Sequence, residues 1–440
     1  MIGAGWSGLA CALELTAGGH RVTLIDAAPQ PGGRARAVGI RLGDREFMLD
    51  NGQHMMIGAY RETLRLMHEA GVPADDVLLR LPFELRYPDG FVLRARRLPA
   101  PLHLAAGLLA ARRLGWAERG QVVRFVLRWR VRGWKIERDV PAHLLFAGAP
   151  AEIVRRLWRP LCLAALNVEL RQASAQTFLD VLRDSLAGGA GAADLLVPRR
   201  DLTRVFAGPA AQVLLGRGAA VQLRSWVQRL SRVGARWHIE GRGHAALADA
   251  VVLALPPRRA AALLASAQRD DLAPAVAVLR SIDTAPIVTA YLRYPPTLRL
   301  PRPVFALLDD PPSGRFGQWV FDRGQLDAEN AGVLSVVISA AGPALAEGPA
   351  RLAELLARQL SAELGLPEPL ATSVLAEKRA TIVPSPGLQR PPARLAAPWL
   401  YLAGDAASSP YPSTLEGSVR AGIAAAREIA ADLRTRQAPA

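Results

Sequence analysis

Gly3, Gly5 and Gly8 stand at the spacing G-x-G-x-x-G, and Asp26 closes the apolar run Val22-Thr23-Leu24-Ile25, 23 residues after Gly3. That arrangement suits phosphate and sugar chemistry. The first glycine permits a tight turn, the second lets a pyrophosphate approach the backbone, and the third lets a helix pack closely on its strand. A helix starting there aims its free amides and its dipole at the phosphates. An acid about 20 residues on accepts hydrogen bonds from a ribose. Further along, Pro31-Gly32-Gly33-Arg34-Ala35-Arg36 offers a second glycine turn, with arginines able to donate charge-assisted hydrogen bonds to phosphate oxygens. Gly52 and His54 follow in Asp50-Asn51-Gly52-Gln53-His54, where the imidazole is a candidate proton donor or water-orienting group. Near the other end, Leu400-Tyr401-Leu402-Ala403-Gly404-Asp405 places a second acid at the end of an apolar strand. Thr414-Leu415-Glu416-Gly417 then opens a helix whose N-terminus can meet the polar edge of a ring carrying partial negative charge.

These groups need elements to hold them. A helix is expected from about Gly5 to Ala17, stopped by Gly18-Gly19, then a strand ending at Asp26. Strand patterns occur near 219–223, 226–227 and 235–239, and Val251-Val252-Leu253 reads as a buried strand stopped by prolines. Residues 285–340 are strand-rich, and an amphipathic helix is expected at 349–364. Residues 157–167, an almost unbroken apolar run around Pro160, read as a kinked, buried helix lining a greasy cavity. Residues 99–135 are apolar and rich in arginine, with Trp116, Trp129 and Trp134. They read as a helix pair that lies on a bilayer or caps a substrate cavity. Only Met1 and Ile2 precede Gly3, so the first strand is expected to begin upstream of this sequence.

The chain has 440 residues, room for two domains. Its net charge is +15, but Lys135 and Lys378 are its two lysines and the rest of the 54 basic residues are arginine, a bias expected of a GC-rich genome. With no nucleic-acid motif beside it, that charge does not predict a nucleic-acid partner. Two cysteines, Cys11 and Cys162, suggest neither a disulfide framework nor a metal site. No apolar stretch reaches the ~18 residues of a spanning helix, and no leader is expected. The expected location is the cytoplasm, with peripheral contact on the inner face of the cytoplasmic membrane.

Together, these features resemble the FAD-dependent amine oxidase and carotenoid desaturase superfamily over the whole chain. The resemblance implies an α/β fold: a three-layer, Rossmann-like FAD-binding domain with a parallel sheet, and an interleaved α+β substrate domain. The FAD-binding domain is expected to draw on residues 1–90, 195–275 and 395–440, and the substrate domain on 91–194 and 276–394. By this likeness Gly3, Gly5, Gly8, Asp26, Gly33 and Arg34 hold the ADP part of FAD. Gly52 lies near the cofactor, Val227 near the adenine, Gly404 and Asp405 at the ribityl chain, and Glu416 and Gly417 beside the isoalloxazine. Two departures count against an amine substrate. No lysine occurs between 136 and 377, where amine oxidases commonly have one near the flavin, and Thr414 stands where an aromatic is common. The finer resemblance is to a squalene-associated branch, the hydroxysqualene dehydroxylases of hopanoid biosynthesis. It is carried by residues 50–54, 158–167 and 410–417. It implies reductive loss of a hydroxyl from a C30 isoprenoid allylic alcohol, with His54 or Tyr411 as candidate catalytic groups and NAD(P)H or a reductase as electron donor. A phytoene-type isoprenoid desaturase, running electrons the other way, is the alternative.

Overall fold

Val251–Leu253 and Leu400–Leu402 are buried at every residue, as strands covered on both faces must be. They pair in parallel. Thr23–Ile25 pairs in parallel with Ala220–Gln222, and Ile2 joins the two halves by bridging Ile25 on one side and Leu253 on the other. The joints are backbone hydrogen bonds, Gly3 to Ile25 at 2.8 Å and Ile2 to Val252 at 2.9 Å. The central strand is thus represented by Met1 and Ile2, immediately before the first glycine, Met1 pairing with Thr23 and Ile25 through its own backbone. The structure is a computed structural model that describes residues 1–440 apart from 97, 99–101, 190, 243 and 438–440. Residues 99–101 of the arginine-rich region therefore lie outside the described residues.

Helices Trp6–Ala17 and Leu415–Gln437 cover one face of the parallel sheet and meet closely. A Cβ on Gly422 would lie 2.2 Å from the Ser7 carbonyl oxygen. On the other face lie Pro257–Ala265, Ala273–Ser281 and the antiparallel strands Val227–Val233, Arg236–Gly241 and His244–Ala248. The result is the three-layer α/β arrangement. Cys11 and Cys162 are buried and unpaired.

A second, antiparallel sheet has the order Val304–Ala306, Trp319–Asp322, Val333–Ile338, Thr284–Arg293, Ala371–Ile382. Side chains alternate between its faces. Val288, Ala290, Val320, Val336 and Ile338 pack with Leu352, Leu356 and Leu360 of helix Pro349–Leu364. The residues between them, Ile287, Thr289, Trp319, Phe321, Val337 and Ser339, face a cavity.

Helix Arg159–Leu166 lies across that cavity, but Pro160 does not kink it midway. Pro160 sits in the first turn, and the chain before it, Val154–Trp158, is a π-helical turn. Proline has no amide to give the carbonyl four residues back, and the Arg156 carbonyl instead accepts from the Tyr87 hydroxyl at 2.9 Å. The helix ends at Asn167, which takes the left-handed conformation at φ 56°. Its side-chain amide donates to Thr381 Oγ1 at 2.9 Å and its oxygen accepts from the Ala340 amide at 2.7 Å. One residue thus fastens the helix to the second sheet.

Candidate active site

The phosphate-binding turn is built from backbone that tolerates no side chain. Gly3 has φ +107°, and a Cβ there would lie 2.3 Å from the Ala254 carbonyl oxygen. A Cβ on Gly8 would fall 1.9 Å from the Gly3 oxygen. The second glycine turn is tied to the first by the Gly32 amide, which donates to the Ala4 carbonyl at 2.8 Å. Helix Trp6–Ala17 begins beside both turns with no side-chain cap and no acid in its first turn. The Ser7 hydroxyl is buried there without a partner. An uncapped helix N-terminus and an orphaned hydroxyl, both against close glycines, are what an anionic group would satisfy. Asp26 is held at its strand end by the amides of Ala4 (2.6 Å) and Ala28 (2.7 Å). Arg34 reaches across to Asp405, pairing at 2.5 Å. These residues fit a dinucleotide: the glycine turns and the helix for pyrophosphate, Asp26 for a ribose, Arg34 and Asp405 for polar groups further along.

The cavity that begins at this cradle measures about 440 Å³. Gly3, Gly5, Asp26, Gly33, Arg34, Gly52, His54, Gly404 and Asp405, all expected at the site, line it. It continues to the apolar face of the second sheet, with Trp319 and Phe321, and to Leu163, Ala164 and Ala165 of helix Arg159–Leu166. Gly8 serves helix packing, as the third glycine of the motif should.

The His54 ring is fixed by its Nδ1, 2.6 Å from the Gly52 carbonyl oxygen. A carbonyl only accepts, so Nδ1 carries the hydrogen and Nε2 of the neutral ring is an acceptor. Burial lowers the affinity of His54 for a second proton, the Gly52 hydrogen bond opposes this, and the charge of Arg34 lowers it further. Of the two expectations for His54, orienting a hydroxyl or water is the one that an acceptor at Nε2 serves directly.

Four expected positions lie elsewhere. Tyr411 is outside this cavity: it lines a separate groove with Glu62 and Arg427, and the Arg420 guanidinium covers its ring at 4.7 Å. Glu416 turns away from the cavity. It is 3% exposed, and its carboxylate accepts from the Thr63 amide (2.9 Å), the Thr63 hydroxyl (2.7 Å), the Glu62 amide (3.2 Å) and Arg420 Nε (2.7 Å). It therefore caps helix Arg61–Glu69, which has no side-chain cap of its own from Tyr60. Gly417 is a packing position, where a Cβ would meet the Pro412 carbonyl oxygen at 2.3 Å. Ser413, Thr414, Leu415 and Ser418 line the cavity in place of this pair. Val227 begins a strand, and its side chain is buried in the core behind the parallel sheet.

Tyr60, Thr289, Trp319 and Phe321 line the cavity without having been expected there. Period-two alternation in strands 319–322 and 333–338 marks Trp319 and Phe321 as sharing a face, but not which face meets the cavity. Tyr60, just before a helix, carries no sequence signal. Its phenol is pushed up to about 12 by burial, against the Thr414 hydrogen bond, with Glu416 adding to the rise.

Comparison with known proteins agrees with this geometry. Residues 6–430 match the family described as flavin containing amine oxidoreductase. A hydroxysqualene dehydroxylase of Sinorhizobium fredii is 29% identical, over 97% of this chain and 96% of that protein. A hydroxysqualene dehydroxylase of Rhodopseudomonas palustris is likewise 29% identical, at 97% and 96% coverage. Among solved structures, an oxidoreductase from Methanosarcina mazei shares the fold with a TM-score of 0.73 at 16% identity, covering 96% of this chain and 98% of its own. The glycine cradle, the fold that carries it and the match over nearly the whole chain have one meaning: this chain belongs to the flavin containing amine oxidoreductase family and is an FAD-dependent oxidoreductase.

Proposed function

We propose that this chain acts on hydroxysqualene, removing the hydroxyl reductively to leave squalene and water. The observation that carries the reading is the single cavity joining a dinucleotide cradle to an apolar wall made by Trp319, Phe321, Leu163, Ala164 and Ala165. A long hydrocarbon suits such a wall; a small charged amine does not. Lys378, one of the two lysines, is exposed, and neither lines this cavity.

In the proposed reaction the C–O bond breaks, the oxygen takes up a proton drawn from solvent and leaves as water, and the carbon gains a hydride equivalent. Bound FAD, in its reduced form, supplies that two-electron equivalent. The residues do the rest. The apolar wall keeps water from the electron-poor allylic carbon, and the faces of Trp319 and Phe321 favour positive charge. His54 Nε2 accepts from the hydroxyl or the departing water and so orients it. Tyr60 keeps its phenolic proton at neutral pH and can donate a hydrogen bond to the leaving oxygen. NAD(P)H or a reductase restores the electrons. The reaction is placed at the inner face of the cytoplasmic membrane, where a C30 hydrocarbon dissolves.

The test is anaerobic incubation of the FAD-loaded protein with reductant and hydroxysqualene, with mass-spectrometric analysis of the product. Squalene formed in step with flavin reoxidation is the expected result. No squalene from a protein whose FAD is bound and reducible refutes the reading and favours an isoprenoid desaturase, to be assayed with phytoene.

A further inference from the structure

Helix Trp116–Val131 is apolar on two opposite faces. At about 100° per residue, Phe125 and Trp129 point inward and are buried. On the outer side, Trp116, Val123, Leu127 and Val131 share an arc of roughly 80°. They are 74%, 46%, 57% and 87% exposed. Arg124 and Arg128 flank this strip on one side and Arg119 and Arg130 on the other, with Glu118 the one acid of the helix. Arg119 also ties in the neighbouring helix Leu102–Leu109. Its guanidinium lies 4.6 Å from the centre of the Trp116 ring and donates to the Leu109 carbonyl at 2.9 Å, which sets exposed Leu109 beside the strip. Packing explains the inner face. Nothing in the described fold covers the outer one, and an exposed apolar strip of this kind marks an interaction surface.

We propose that this outer strip, with Leu109, seats in the headgroup region of an anionic lipid bilayer. Charge decides the occupant. Arginines on both flanks of an apolar strip match anionic headgroups around an acyl boundary. A second copy of the same face would set arginine against arginine. No described helix is long and apolar enough to cross a membrane, so the 16-residue helix lies flat, about 24 Å along the surface. The seat is one aromatic layer from the cavity. Phe125 packs against Trp158, with ring centres 4.6 Å apart, and Trp158 leads directly into helix Arg159–Leu166, which lines it. This proposal deepens the membrane contact proposed above and does not depend on the identity of the substrate.

The test is flotation of the FAD-loaded protein with vesicles of phosphatidylcholine, with and without phosphatidylglycerol, at low and high salt. Phosphatidylglycerol is expected to raise partitioning on the order of tenfold, and salt to reduce it. V123E/L127E should lose that gain. L215E/L247E, which charges two apolar residues exposed elsewhere (48% and 52%), should keep it. Flavin content and far-ultraviolet circular dichroism confirm that both variants fold. Equal partitioning of V123E/L127E and the parent, no preference for phosphatidylglycerol, or a strip that binds an acidic protein and no vesicle would each overturn the proposal. Squalene formation in detergent is measured in parallel and should be unchanged in V123E/L127E. Absence of squalene with intact vesicle binding refutes the proposed reaction and leaves this inference standing.

Discussion

Replacing Glu416 with alanine removes a buried carboxylate that holds two elements together, and its cost can be worked from the contacts. The lost acceptor leaves the Thr63 amide and hydroxyl and the Glu62 amide, all at the start of helix Arg61–Glu69, without their partner, and frees Arg420 from its 2.7 Å contact. Loss of a helix cap costs about 1 kcal/mol. Each hydrogen bond to a charged group is worth about 1.5–3 kcal/mol net. The contributions are not independent, because Thr63 Oγ1 and the two amides share one carboxylate. Arg420 is partly exposed and can meet solvent, so the cost comes mainly from the three orphaned donors of the helix, a total of roughly 3–5 kcal/mol. At about 2.1 cal/mol/K per residue, unfolding 440 residues carries an entropy near 0.9 kcal/mol/K. The expected fall in Tm is therefore about 3–6 °C. Glu416→Gln keeps one acceptor and should lose about half as much. Differential scanning calorimetry of the apo and FAD-loaded proteins measures both shifts, and the visible absorption spectrum and reduction potential of the bound flavin are recorded alongside. The contacts predict a destabilised protein whose flavin spectrum and potential are those of the parent. A Tm unchanged in Glu416→Ala, with a displaced flavin band or potential, would refute the capping role and restore Glu416 to the edge of the ring.

Gly8→Ala places a Cβ 1.9 Å from the Gly3 carbonyl oxygen, so FAD affinity should fall by at least roughly tenfold; a titration followed by flavin fluorescence that gives the parent Kd contradicts this. Asp50 is buried with one carboxylate oxygen unpartnered, and burial, opposed by Arg323, raises its pKa from 3.8 to about 7. The folded state thus holds this proton more tightly than the unfolded state, so stability falls as pH rises from about 4 to 7, by at most about 4 kcal/mol, and is flat above. Asp50→Asn should flatten that slope, seen as a smaller drop in urea midpoint between pH 5 and 8. His54→Gln should retain FAD and lower kcat on the order of 10²-fold; unchanged turnover removes His54 from the mechanism. Tyr60→Phe should lower kcat while Tyr411→Phe leaves it unchanged, since Tyr60 lines the cavity and Tyr411 does not; the reverse order refutes the assignment.

Much of the cofactor cradle was legible in the chain because it is local. Gly3, Gly5 and Gly8 act on backbone within a few residues of themselves, and Asp26 and Asp405 follow apolar strands in sequence as in space. Apolar, β-branched runs likewise marked the strands near 287–292 and 333–338, which are buried at most residues on both faces, and a 3.6-residue period marked the helix Pro349–Leu364, which buries one stripe. What the sequence could not decide is which residues meet across long separations. Glu416 stands beside cavity-lining Leu415 and Ser418, yet its own side chain points to Thr63, because a helix turns by about 100° per residue and adjacent positions face apart. Tyr411, two residues from lining Ser413, is turned toward Arg420. Trp319 and Phe321 line the same cavity as His54 only because an antiparallel sheet turns that face toward the glycine cradle. Glycine spacing and strand-end acids determined the cofactor chemistry. Tertiary packing decided the wall opposite, because side-chain direction at a site is set by contacts between segments hundreds of residues apart.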